Sequence, residues 1–132
     1  MVNAGIIGLG FIGRMHLTTL RQAGNASVVA VADVVPDNLH GGSSDAGNIE
    51  IEGDLSLDGV EKYDNGDALL ADKNVEAVLI TLPTYLHKQY ALKAIAQRKH
   101  VFLEKPMALD PAECAAICAA LEGYDLTFMV GH

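Results

Sequence analysis

The chain has 132 residues, half of them hydrophobic and 5% aromatic, with a net charge of −8. That length suffices for one domain with its own core, and the acidic balance argues against nucleic acid or an anionic membrane surface as a partner. No apolar run of about 18 residues exists to span a membrane, and the first apolar run starts too close to Met1 for a signal peptide, so the cytoplasm is the expected compartment.

The first predicted strand covers about residues 3–8 and is followed by a helix over about 11–23. The expected inner stripe of that helix is Ile12, Met15, His16, Thr19, Leu20 and Ala23, at spacings of three and four. His16 is therefore expected to pack. Gly24 closes the helix, as a glycine just past a helix end does. A second apolar strand, 27–33, ends at Asp33.

Residues 36–63 fit the alternation less well. Pro36 to His40 resembles a helix start, and Gly41-Gly42-Ser43-Ser44 would break it. The alternation of Ile49, Ile51, Leu55 and Leu57 with Glu50, Glu52, Asp54 and Ser56 has period two, which suggests an extra hairpin. A third strand is expected over 60–63. Asp64, Asp67 and Asp72 read as solvated charges or helix caps.

A fourth strand is expected over 77–81, then a helix capped by Thr84 that buries Tyr90, Ala91, Ala94 and Ile95. The fifth strand covers 101–104. Asp110 as cap, Pro111 in the first position and Glu113 in the third mark the next helix. Its expected buried face is Cys114, Ile117, Cys118 and Leu121. No second Cys/His pair stands at zinc spacing, so no metal is expected and both cysteines read as small apolar side chains turned inward. A sixth strand closes the chain over 126–130. Apolar strands between amphipathic helices predict an α/β fold: a Rossmann doubly wound parallel sheet of about six strands with helices on both faces, formed by residues 1–132 as one dinucleotide-binding domain.

The turn after the first strand reads Gly8-Leu9-Gly10-Phe11-Ile12-Gly13, and Asp33 follows twenty residues after its last glycine. In such a turn Gly8 permits the sharp exit from the strand. Gly10 lets a pyrophosphate approach the backbone, and Gly13 lets the helix lie close to the sheet. The N–H groups around Phe11 and Ile12 then point at phosphate, with the helix dipole adding a modest attraction. Asp33 is expected to accept hydrogen bonds from both adenosine ribose hydroxyls and to repel the extra phosphate of NADP. That repulsion has an upper limit of about 4 kcal/mol for charges about 4 Å apart. The residues after Asp33 are Val34, Val35 and Pro36, with no cation to offset it. NAD is therefore the expected cofactor, over NADP. The glycine triplet between strand and helix, with an acid at this distance, is far more specific than the triplet alone.

Two further segments follow strand ends. Thr81-Leu82-Pro83-Thr84-Tyr85-Leu86-His87 lies after the fourth strand, where open α/β sheets bind ligands. Glu104-Lys105-Pro106 lies after the fifth, where Lys105 can hydrogen-bond a substrate hydroxyl and offset oxyanion charge. The alternatives are capping and packing for His87 and a surface loop lysine for Lys105.

Together and in this order, GLGFIG, TLPTYLH and FLEKP resemble the amino-terminal domain of the glucose–fructose oxidoreductase and inositol dehydrogenase (Gfo/Idh/MocA) family, from about Val2 to His132. The resemblance implies NAD(P)-dependent oxidation of a sugar, cyclitol or similar polyol. It implies that Lys105 reaches the reacting hydroxyl, that Glu104 helps anchor the nicotinamide end, and that the Lys105–Pro106 bond is cis. Thr81, Leu82, Pro83 and His87 are the expected cofactor contacts of the second motif.

The family's enzymes carry a second, mainly antiparallel domain that supplies most substrate contacts and an acid/base partner. This chain is therefore expected to be a cofactor-binding fragment that binds NAD with little turnover and self-associates as a homo-oligomer through uncovered surface. A rival reading is a cofactor-sensing module of the same fold without catalysis. Retention of Lys105 favours the enzyme.

Overall fold

A computed structural model describes residues 1–40 and 55–131. Of the hairpin expected over the alternation from Ile49 to Leu57, residues 49–54 lie outside the described residues, and 55–57 are described and form no strand. The chain alternates β1 (Val2–Ile7), α1 (Phe11–Ala23), β2 (Ala26–Ala32), α2 (Pro36–Leu39), β3 (Glu61–Tyr63), α3 (Gly66–Leu70), β4 (Ala77–Ile80), α4 (His87–Ala96), β5 (His100–Leu103), α5 (Pro111–Leu121) and β6 (Phe128–Val130). All strand pairs are parallel, in the order β3-β2-β1-β4-β5-β6. The order reverses between β1 and β4, which creates the crevice where Rossmann sheets bind ligands.

Successive side chains of a strand point to opposite faces, and two cores follow. Ile7, Val78, Ile80, Val101 and Leu103 pack with Leu69 of α3, Ala91 and Ile95 of α4 and Ile117 of α5. Ala4, Ile6 and Leu79 pack on the other face with Leu17 of α1 and Leu39 of α2, where Leu55 and Leu57 also rest. The expected strands are all present, each within two residues of its predicted ends.

Three details correct the sequence reading. First, α1 buries Gly13, Arg14, Leu17 and Thr18, whereas Ile12 and Met15 are more than two-fifths exposed. A Cβ at Gly13 would lie 1.9 Å from the Gly8 carbonyl oxygen. That approach fixes the helix's rotation, and the apolar stripe counted from Ile12 turns outward. Second, Cys118 is exposed and Cys114 only half-buried, because α5 lies near the sheet's edge and sinks only Ile117 completely. Third, Thr84 does not cap α4. It opens a single 3-10 turn, Thr84–Leu86, and the first α-helical residue is the buried His87. Tyr90 is half-buried on that helix.

α3 is an element that the strand–helix alternation did not predict. Asn65 caps it, its side chain accepting from the Ala68 N–H at 2.8 Å. At α5 the expected cap forms: Asp110 accepts from the Glu113 N–H at 2.8 Å, and Glu113 accepts from the Leu109 N–H at 3.0 Å.

Candidate functional site

A cleft of about 290 Å³ opens at the carboxyl ends of β1, β2 and β4. Gly8, Gly10, Asp33, Thr81, Leu82 and Pro83 line it, so six of the sequence-predicted residues meet there. Asn38, Gly66, Tyr85 and Tyr90 line it as well.

The glycine turn forms one wall. Gly8 has φ +97°, a left-handed conformation that side chains strain to adopt, and a Cβ there would press on the Thr81 carbonyl at 2.8 Å. Gly10 has φ −72° and nothing within 4 Å of its virtual Cβ. Its lack of a side chain therefore answers neither strain nor crowding; it keeps space open above the helix start. The first intrahelical bond runs from the Arg14 N–H to the Gly10 carbonyl at 3.1 Å. The N–H groups of Phe11, Ile12 and Gly13 thus precede any helical partner. No acidic residue stands in the first turn and no side chain caps it, so the positive end of the helix is open to an anion.

Asp33 forms the second wall. Its Oδ2 accepts from the Leu9 N–H at 2.7 Å and from Asn38 Nδ2 at 3.1 Å, and its Oδ1 accepts from the Val35 N–H at 2.8 Å. The carboxylate thereby ties the glycine turn to the end of β2. The third wall is the turn after β4. The Thr81 hydroxyl lies 2.6 Å from the Gly8 carbonyl oxygen and 3.0 Å from that of Ile7, so its single proton holds β4 to the glycine turn.

Phe11, Ile12, Gly13, His87, Glu104 and Lys105 do not line the cleft. Gly13 lies beneath the turn, pressed against Gly8. His87 is 1% exposed, and each ring nitrogen is 2.7 Å from a carbonyl oxygen, Nδ1 from Pro106 and Nε2 from Leu82. It has no free nitrogen for a cofactor and instead braces the turn after β4 against the turn after β5. The half-buried Glu104 accepts from His16 Nε2 at 2.7 Å, and the His16 ring stands edge-on to Phe102 at 5.1 Å. His16 thus does more than pack: it joins α1 to the end of β5. Lys105 is exposed, has no partner among the described residues, and precedes Pro106 through a cis bond.

Sequence reasoning missed Asn38, the cleft-lining tyrosines and the role of His16. The signal for Asn38 was available, since α2 begins at Pro36 and holds it one turn from Asp33. Among the described residues no three His, Cys, Asp or Glu side chains gather as a metal site. The cleft does suit a dinucleotide: an open cradle that a Cβ at Gly10 would fill, unpaired helix N–H groups beside it, and a fixed carboxylate across from them.

Comparison with known proteins agrees. The model of an oxidoreductase family, GFO_IDH_MocA, described as having an NAD-binding Rossmann fold, matches residues 2–132. The chain belongs to this family. It is 34% identical over 132 residues to 2,7-anhydro-N-acetylneuraminate hydratase of Escherichia coli K12, covering 100% of this chain and 32% of that protein. It is 38% identical over 122 residues to an inositol 2-dehydrogenase of Ralstonia nicotianae, covering 91% of this chain and 33% of that protein. Scyllo-inositol dehydrogenase from Lactobacillus casei, solved with bound NAD(H) and scyllo-inositol, superimposes with a TM-score of 0.82 at 27% identity over 99% of this chain and 36% of that one. The chain thus spans about a third of the length of the curated relatives it matches. It is an NAD-binding Rossmann domain of an oxidoreductase family, and no helix among the described residues is long and apolar enough to cross a membrane.

Proposed function

We propose that this domain, residues 1–132, serves a dehydrogenase that moves hydride between NAD and a hydroxyl-bearing carbon of a sugar, cyclitol or similar polyol. The observation that carries the reading is the union of Gly8, Gly10 and Asp33 around one cleft at the reversal of strand order. In this reading the pyrophosphate lies over Gly10 and receives the N–H groups of Phe11 and Ile12, with Gly13 supporting the turn from below. Asp33 takes the adenosine ribose. Thr81, Leu82 and Pro83 form the wall beside the remaining part of the cofactor. When bound, NAD supplies the hydride acceptor.

Lys105 is the catalytic residue. Its exposed ammonium stands at the end of β5, where it can hydrogen-bond the substrate oxygen and stabilise the charge that develops as the carbinol loses its proton. Glu104, steadied by His16, orients the nicotinamide end. The named relatives act on inositol or an anhydro sugar acid, which supports a polyhydroxylated substrate. Most contacts to that substrate, and the acid/base partner, belong to protein outside this domain, so the domain alone binds cofactor with little turnover. A cytoplasmic location belongs to the same reading.

Calorimetric titration with NAD and NADP tests it. NAD is expected to bind and NADP to bind more weakly, because the 2′-phosphate would meet the Asp33 carboxylate. Equal or tighter NADP binding refutes the preference, and no heat with either nucleotide refutes the function. A cofactor sensor would keep its behaviour in Lys105→Ala, whereas the complete enzyme should lose turnover and retain NAD.

A further inference from the structure

We propose that Asn38 is a second ribose-binding residue: its side-chain carbonyl accepts the adenosine hydroxyl that Asp33 cannot. The proposal rests on the NAD reading above and adds a residue to it. An ionised carboxylate offers about four lone-pair directions, two on each oxygen. Asp33 Oδ2 already accepts from the Leu9 N–H and from Asn38 Nδ2, and Oδ1 accepts from the Val35 N–H. One direction remains, on Oδ1. A ribose presents two O–H donors. Asp33 can therefore take one hydroxyl without breaking a bond that holds the glycine turn, and the other needs a different acceptor.

Asn38 is that acceptor. It lines the same cleft as Asp33 and Gly10. Its amide nitrogen must face the carboxylate, since the opposite orientation would set two acceptors against each other. The carbonyl end is then fixed in direction, and no described residue donates to it. The backbone holds the side chain in place: the Asn38 N–H bonds the Val35 carbonyl at 3.1 Å, and the neighbouring Leu39 is buried. The two side chains form one unit, a carboxylate and an amide joined through a hydrogen bond, both lining the cleft and both with acceptor capacity that no described residue uses. An aspartate at 38 could not form it, because two carboxylates would repel where the amide now donates.

The test is calorimetry on the purified chain with NAD and with its 2′-deoxyadenosine and 3′-deoxyadenosine analogues, using wild type, Asn38→Leu and Asn38→Ala. Leucine has the same branched shape, somewhat larger, and no acceptor; alanine supplies a second variant should leucine disturb folding, which a thermal melt reports. The expected result is roughly 3- to 10-fold weaker NAD binding in both variants, the range for one net hydrogen bond. One of the two deoxy analogues should bind wild type and variant equally, because the hydroxyl that Asn38 would accept is already absent. Unchanged NAD affinity overturns the proposal. An equal loss for NAD and both analogues also overturns it, since that pattern marks a residue that merely steadies Asp33. Failure of the wild-type chain to bind NAD would instead overturn the function on which the proposal rests.

Discussion

Gly10 and Gly13 stand three residues apart in one motif, yet the structure assigns them opposite failures. A Cβ on Gly13 would lie 1.9 Å from the Gly8 carbonyl oxygen, 2.9 Å from its carbon and 3.0 Å from Thr81 Oγ1. Real Cβ contacts essentially never fall under 3.0 Å, so backbone must move by more than about 1 Å in a turn that Asp33 and Thr81 both tie down. Overpacking of this kind costs about 3 kcal/mol, the upper end for an added methyl group. Alanine's better helix propensity returns up to about 1 kcal/mol. A net loss of about 2 kcal/mol lowers the melting temperature by roughly 5–10 °C in a domain of this size. Gly10→Ala meets nothing within 4 Å and keeps an allowed backbone. Its stability should change by less than about 0.5 kcal/mol, as a poorer cap offsets a stiffer unfolded chain. Its Cβ occupies the space over the helix start, and loss of one charge-assisted bond to phosphate weakens NAD roughly 10- to 100-fold. Differential scanning calorimetry and NAD titration on both variants separate the effects. If Gly10→Ala binds NAD normally, or if both variants melt together, the division of labour between these glycines is wrong.

Replacing His87 with Phe, a somewhat larger ring, removes the nitrogens that reach the Leu82 and Pro106 carbonyls, at a cost of about 1–3 kcal/mol; urea denaturation showing wild-type stability would mean that neither contact matters. His16→Ala should weaken NAD while leaving ADP-ribose binding unchanged, because Glu104 serves only the nicotinamide end in this reading. Equal losses for both ligands would move His16 to a general structural role. The Tyr63 hydroxyl donates to Asp72 Oδ2 at 2.8 Å, and that bond to a carboxylate raises the phenol above its ordinary value of 10.0. A raised folded-state value means that the folded protein holds the proton longer, so the stabilisation is complete below about pH 10 and disappears as pH climbs through the higher value. Lys99 slopes the other way, since burial lowers its value and the unfolded chain then binds more protons in the alkaline range. Subtracting the Tyr63→Phe stability curve from that of wild type removes the Lys99 contribution. The difference should be positive near neutrality and fall toward zero at high pH; a flat difference would contradict the Tyr63 assignment.

The sheet, its parallel order and the glycine cleft were legible because each leaves a strong one-dimensional trace: continuous apolar runs for strands buried on both faces, and a backbone turn that only glycine permits. The rotation of α1 left no such trace. Its inner positions are Gly13, Arg14, Leu17 and Thr18, and three of these have no apolar signal, while the outward Ile12 and Met15 do. The contact that sets the rotation is between two backbones. α5 misleads for the opposite reason: its residues are mostly small and apolar, but a helix near the edge of a sheet has little to sink them into, so Cys118 faces outward. α3 has a legible cap in Asn65 and was hidden by brevity, its five residues being shorter than any periodicity can register.

His87, Thr81, Asp33 and His16 share a property that sequence could not have revealed. Each is a residue type suited to chemistry, and each directs hydrogen bonds to a neighbouring turn. Thr81 binds β4 to the glycine turn, His87 binds the turn after β4 to that after β5, Asp33 binds β2 to the glycine turn, and His16 binds α1 to the end of β5. Four strand ends are thereby linked into one rim. Polar groups placed before ligand arrives need no reorganisation when it binds, and a cleft held in shape loses less conformational entropy than one assembled by its ligand. Lys105 is the exception on that rim, exposed and without a partner among the described residues. In the proposed reading Lys105 stays unpaired until substrate comes, and the linked strand ends around it are the fixed frame from which it would reach that substrate.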